Sequence, residues 1–233
     1  MPPSSDALLL NRLRRADPDR YFCTLFAPPP ARATLALLYL FNHELARARE
    51  VASEPLLAMI RLQWWREVVE GTPRQHELAT PLGAALAARR FARADLLALI
   101  AAREVEAAPD IPDLPAFLAY ARGTGGGLAR VAGRVLGVES QEIEDVGTAY
   151  AITGILRAAP YLASQGRSLL PADGTDQADM IAQARRCLNV RIPRAGLAAS
   201  LPGALARVDL AAPGATMLRR RLAVLRAALT GRV

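Results

Sequence analysis

Apolar side chains recur at Leu37, Leu38, Phe41, Leu45 and Ala48, the i, i+3, i+4, i+7 spacing of one helical face. Pro28, Pro29 and Pro30 end the preceding segment and Glu54-Pro55 closes the run, so the pattern predicts a helix over 31–52. Positions 39, 43, 46, 47 and 50 lie on one side of that helix, three or four residues apart. Whatever they present to the middle of the fold decides the function.

The same pattern predicts helices over 7–15, 55–70, 80–90, 94–107, from 114 onward, and over 139–164, 178–190, 194–208 and 215–229. Residues 1–6 are polar and proline-rich and are expected to fray, while Asp17-Pro18-Asp19 can cap the next segment. Residues 21–26 read as a short apolar segment, and Thr80-Pro81 as an N-cap followed by proline. Gly123-Thr124-Gly125-Gly126-Gly127 interrupts a helical pattern. Each such glycine costs about 1 kcal/mol relative to alanine, so a break or a close backbone approach is expected. With no repeat and no clear boundary, 1–233 reads as one all-α domain.

Composition supports that class. The chain is 52% hydrophobic but only 5% aromatic, which implies an Ala/Leu/Val interior, and β-branched runs are rare. Lysine is absent: all 29 basic residues are Arg, giving a net charge of +7 against 22 acids. Two explanations stand, a base-composition bias on solvated faces or a surface attracted to anionic partners. Cys23 and Cys187 are too few for a metal site and are expected as free, buried thiols in a reducing compartment. The start lacks a basic-then-apolar leader, and no apolar run approaches the roughly 20 residues that span a bilayer. A cytoplasmic protein, at most peripheral on the inner face of a membrane, is the expectation.

Most motif readings fail on chemistry. The glycine stretch lacks a Lys-Ser/Thr ending and a preceding strand, so it is no phosphate loop. His43 and His76 have no second His or Cys at ligand spacing, and no Gly-x-Ser-x-Gly elbow occurs. The final helix carries Arg219, Arg220, Arg221 and Arg226 as a basic face without interleaved aromatics, which argues against nucleic acid. Trp64-Trp65 is more informative. Adjacent side chains on a helix point about 100° apart, so one indole can enter the core while the other meets a neighbour or a cavity wall.

Taken together, Leu38-Tyr39-Leu40-Phe41-Asn42, Arg61-Leu62-Gln63-Trp64-Trp65-Arg66, Ile155-Leu156-Arg157 and Gly166-Arg167-Ser168-Leu169-Leu170-Pro171 resemble the squalene/phytoene synthase family over most of the chain. The resemblance implies an all-α isoprenoid-synthase fold around a central apolar cavity. Enzymes of this family join two prenyl diphosphates head to head, with Mg²⁺ held by Asp-rich motifs on two facing helices. The first motif, Asp-Asp-x-x-Asp, aligns with Ala46-Arg47-Ala48-Arg49-Glu50, which keeps only Glu50. The second, Asp-x-x-x-Asp, aligns with Ala158 and Leu162, and Pro160 should disturb the helix there.

The resemblance therefore implies a non-catalytic member, without catalytic or metal-binding residues and without a cofactor. A branch of the family that assists assembly of respiratory complex I carries similar runs to Tyr39-Leu40-Phe41-Asn42, Arg49-Glu50-Val51-Ala52-Ser53-Glu54-Pro55 (in slightly different spacing) and Arg61 to Arg66. A respiratory-complex subunit or a membrane surface is then the implied partner. Two alternatives stay open. One is an active, Mg²⁺-dependent prenyltransferase. The other is a carrier holding an isoprenoid or quinone, its Arg-rich end on anionic headgroups. Tyr39, His43, Arg47, Glu50, Trp64 and Arg157 are the cavity or anion-binding candidates. Arg47, Arg49 and Arg157 could hold a diphosphate by guanidinium alone, or pair with Glu44 and Glu50.

Overall fold

Proline at the first turn sets many of the helix starts, because its missing N–H is unneeded there and its φ is already helical. The computed structural model describes residues 5–52 and 54–233, so Ser53 of the run ending at Pro55, and 1–4 of the expected frayed start, lie outside the described residues. The chain divides into two compact units, the first extending to Ala107 and the second covering Ala108–Val233. Among the described residues there is no β-strand, only an isolated parallel bridge between Ile111 and Pro171.

In the first unit, α1 (Ser5–Ala16), α2 (Pro18–Thr24), α3 (Pro29–Glu50), α4 (Pro55–Glu70), α5 (Ala79–Ala87) and α6 (Arg93–Glu104) follow one another, with a 3₁₀ turn at Val105–Ala107. The centre is α3, buried at every position from 35 to 42. A helix buried all round needs neighbours on all sides, and α1, α2, α4, α5 and α6 supply them. Phe41 meets Trp65 of α4 edge-to-face at 5.5 Å, a geometry that adds to the area buried. Gly71, left-handed at φ +116°, stops α4.

In the second unit, α7 (Leu114–Ala121), a π-helical segment (Arg122–Gly126) and α8 (Gly127–Val135) form a continuous run. Then come α9 (Gln141–Ser164), α10 (Gln177–Leu188), a 3₁₀ turn (Arg194–Gly196), α11 (Leu197–Ser200), α12 (Pro202–Ala211) and α13 (Met217–Thr230). The spine is α9, packed against the π segment, α7, α8, α10, α11 and α12.

Several boundaries differ from expectation for identifiable reasons. Residues 5 and 6 are helical rather than frayed. Residues 21–24 belong to α2, because Asp17 accepts from the backbone N–H of Arg20 (2.9 Å) and nucleates a helix through the apolar segment. Thr80 is not an N-cap. The α5 helix begins one residue earlier, where Nδ1 of His76 accepts from the N–H groups of Leu78 (3.2 Å) and Ala79 (3.4 Å). Pro160 does not end α9. It lies exposed in the last turns, where the carbonyl left without a helical donor can reach water.

Of the two outcomes expected of the glycine stretch, the close approach occurs and the break does not. The stretch adds an extra residue to one turn as a π segment instead of breaking the run. A Cβ on Gly125 would run into the Gly147 carbonyl and the Ala151 methyl, and one on Gly147 into the Gly125 carbonyl and Ala129. Two helices thus touch backbone to backbone. In contrast, Gly154 of the same α9 has open space where a Cβ would go. Gly147→Ala should lower stability by about 1–3 kcal/mol through overpacking. Gly154→Ala should raise it by up to about 1 kcal/mol through helix propensity. Urea midpoints read both, and equal effects at the two sites would contradict the contact.

Candidate functional site

The polar end of α3 begins where its all-round burial stops. Glu44 is held by Arg12 of α1 (3.5 Å) and Arg47 (3.8 Å), and Arg12 also reaches Glu77 at 2.7 Å. Two guanidiniums thus converge on one carboxylate and fasten it in place. Beside this network lies a groove of about 350 Å³ lined by Glu44, Arg47, Ile60, Arg61, Trp64 and His76, among others. The tryptophan pair divides its work as the helical spacing implies. Trp65 is buried against Phe41, while half-buried Trp64 stands edge-on to it (4.8 Å) and forms the groove wall. The His76 ring sits 5.4 Å from Trp64 and 5.6 Å from Trp65, so the residue that caps α5 also pins both indoles.

Of the six candidates, Arg47 and Trp64 share this groove. Tyr39 is elsewhere, buried under Arg20, whose guanidinium lies 5.7 Å from the ring centroid and 2.8 Å from Asp17. Burial pushes the Tyr39 phenol far above its ordinary value; Cys23 and Asp17 add to that and Arg20 opposes it. The phenol stays neutral, as a packing group. His43 is half-buried, and Glu50 is exposed in the last turn of α3, with no ion pair among the described residues. The expected pairing with Glu50 is therefore corrected. Arg47 pairs with Glu44, while Arg49 donates to the Ala52 carbonyl (3.0 Å) and closes the helix end. Arg66 pairs with Glu104.

Arg157 belongs to the second unit, and its guanidinium is 3.1 Å from Asp209. The other oxygen of Asp209 takes Arg220, which is buried. Arg220 is thus no part of an exposed basic face. Cys23 is fully buried, and Cys187 only half-buried, its thiol pushed up by burial first and by Asp145 second. The residues that sequence reasoning missed are Arg12, Glu77, Asp209 and the capping role of His76. Arg12, Glu77 and Asp209 find partners remote in sequence, whereas His76 caps N–H groups only two and three residues on, and only Glu44 with Arg47 stands at helical pair spacing.

At the positions expected from the resemblance to match the family's aspartates, Ala46 is half-buried, Arg47 and Glu50 are exposed, Ala158 is half-buried and Leu162 is buried. Among the described residues no group of three or more His, Cys, Asp or Glu side chains could hold a metal ion. The groove can offer two guanidiniums and an indole face to an anionic or apolar group.

This is an all-α protein of the isoprenoid-synthase fold. It is similar to a dehydrosqualene synthase (TM-score 0.76, 13% identity, 97% of this chain and 96% of that one). It is also similar to squalene synthase from Alicyclobacillus acidocaldarius (TM-score 0.61, 17% identity, 97% and 90%). The chain belongs to the squalene/phytoene synthase family, whose pattern matches residues 13–232. Among curated proteins, it is 30% identical over 196 residues to NADH dehydrogenase (ubiquinone) complex I, assembly factor 6 of Rattus norvegicus, covering 77% of this chain and 58% of that protein. The Homo sapiens protein of the same name is 28% identical over 194 residues (76% and 57%). This chain thus spans less than two thirds of the length of those relatives.

The ion pairs predict unequal costs. Asp209→Ala should destabilise by about 3 kcal/mol, because it strips a partner from a buried guanidinium. Arg157→Ala, at an exposed pair, should cost below about 1 kcal/mol. Thermal or urea unfolding compares them, and a larger loss at Arg157 would mean that the Asp209–Arg220 contact is not the structural one.

Proposed function

We propose that this chain is a family member without metal-diphosphate chemistry that serves as an assembly factor for a respiratory complex of the NADH dehydrogenase type. The observation that carries this reading is the similarity to complex I assembly factor 6, at 30% identity for the rat protein. The donor chemistry of the aligned positions supports it. Mg²⁺ bound to a diphosphate takes carboxylate oxygens in near-octahedral geometry. Those positions hold the methyls of Ala46 and Ala158, a leucine, a guanidinium and the single carboxylate of Glu50. This donor set does not fit the ion pair of a diphosphate and its metals, and no step through Mg²⁺ is derived for it.

An assembly role asks something different of the fold: persistent shape and a surface for a subunit or intermediate. Tying α3, α4 and the 76–78 turn together through Glu44, Arg12 and the Trp64–Trp65–His76 cluster gives such a rigid wall. The exposed apolar residues Val51 and Ile60 line the groove there, Leu56 and Leu57 are exposed on α4, and a protein partner could cover them.

Deleting the gene in its own organism tests the role. Assembled NADH dehydrogenase, measured on native gels and as membrane NADH oxidation, should fall severalfold while its subunit transcripts stay level. A normal amount of assembled enzyme would defeat the proposal.

A further inference from the structure

The outward face of α13 is apolar where a solvated helix would be polar. Leu218, Leu222, Leu225 and Leu229 are 68%, 55%, 40% and 87% exposed. At 3.6 residues per turn these four fall within about 60° of one another. They lie across the helix from Arg220, Val224 and Ala227, which are buried. Arg221 borders the leucine stripe on one side, and Arg219 and Arg226 border it on the other. From Leu210 to Val233 the chain contains no Asp or Glu.

A second feature adjoins the same helix. Between α12 and α13 runs a groove of about 670 Å³ whose lining includes Arg207, Arg219, Arg226 and Arg232 and no Asp or Glu. Among the described residues, Arg219, Arg226 and Arg232 form no ion pair, whereas Arg157 and Arg220 are committed to Asp209. A cationic recess thus opens beside a leucine stripe.

We propose that α13 is a membrane-surface helix that lies in the plane of an anionic bilayer, leucines in the acyl boundary and arginines on the lipid phosphates. Guanidinium suits phosphate oxygens in a bidentate way, and long cationic side chains at the edges of an apolar stripe reach the headgroups by snorkelling. The charge pattern argues against a second copy of this chain. The leucines alternate four and three apart like a coiled-coil seam, and its flanking positions hold Arg219, Arg221 and Arg226. Self-pairing would set arginine against arginine. A helical partner of opposite charge would have only two heptads of seam, short of what sustains a coiled coil. A planar anionic layer meets the stripe, both flanks and the recess at once. No helix among the described residues is long and apolar enough to cross a membrane, so this contact is with the surface. It does not depend on the assembly role.

Co-sedimentation of the full chain with phosphatidylcholine vesicles, with and without phosphatidylglycerol, tests it. Binding is expected only with phosphatidylglycerol present and should weaken as salt rises. Leu222→Glu with Leu225→Glu should lower the partition coefficient about a hundredfold, since two leucines no longer leave water. Arg219→Gln with Arg226→Gln should lower it about tenfold at low salt. Both pairs are exposed, and an unchanged thermal melt shows that the fold is kept. Absence of pelleting with phosphatidylglycerol vesicles, or equal pelleting of the leucine variant, overturns the proposal. So does light scattering that shows a dimer which the leucine variant dissolves, because the stripe would then belong to a second copy.

Discussion

The burial of α3 on every face through positions 35–42 is the constraint that shapes the first unit. Eight successive side chains out of water demand helices on all sides, and each buried leucine contributes about 1.5–3 kcal/mol to the result. The polar side chains that α3 gives to the groove, Glu44 and Arg47, lie beyond that stretch, in the last two turns of the helix. There the chain places a clamped Glu44, a solvent-facing Arg47 and an exposed Glu50. The end of α3 is thus organised by ion pairs that fasten it to α1 and to the 76–78 turn.

The second unit rests on a different device. Glycines at 125 and 147 remove side chains from the crossing of the π segment and α9, so backbone meets backbone. The same spine helix then carries Arg157 to Asp209, where the buried Arg220 completes a small cationic–anionic knot. In both units, the arginines at the sites of greatest interest hold structure together. Arg219, Arg226 and Arg232, on α13 and the neighbouring groove, differ from these in lacking carboxylate partners among the described residues.

Much of the fold was legible from local rules. Pro55 at a first turn and Gly71 at a stop define α4 to the residue, and Asp17 caps a helix in the way short acceptors do. Less legible were features fixed by distant partners. No local signal reveals that Arg157 reaches across 52 positions to Asp209, or that Arg220 turns inward while Arg219 and Arg221 do not. The π segment was half legible: the glycines announced close approach, but only the packing against α9 decides between a break and a bulge. At the site, the Trp64–Trp65 split followed from helical geometry. The Glu44–Arg12–Glu77 network did not, since it joins three segments far apart in sequence.

The proposed loss of metal-assisted condensation from a squalene/phytoene synthase framework has a decisive test. The purified chain is supplied with Mg²⁺ and farnesyl or geranylgeranyl diphosphate, with product followed by extraction and binding by calorimetry. No head-to-head product and no Mg²⁺-dependent diphosphate binding are expected. Formation of a squalene- or phytoene-like hydrocarbon would contradict that loss.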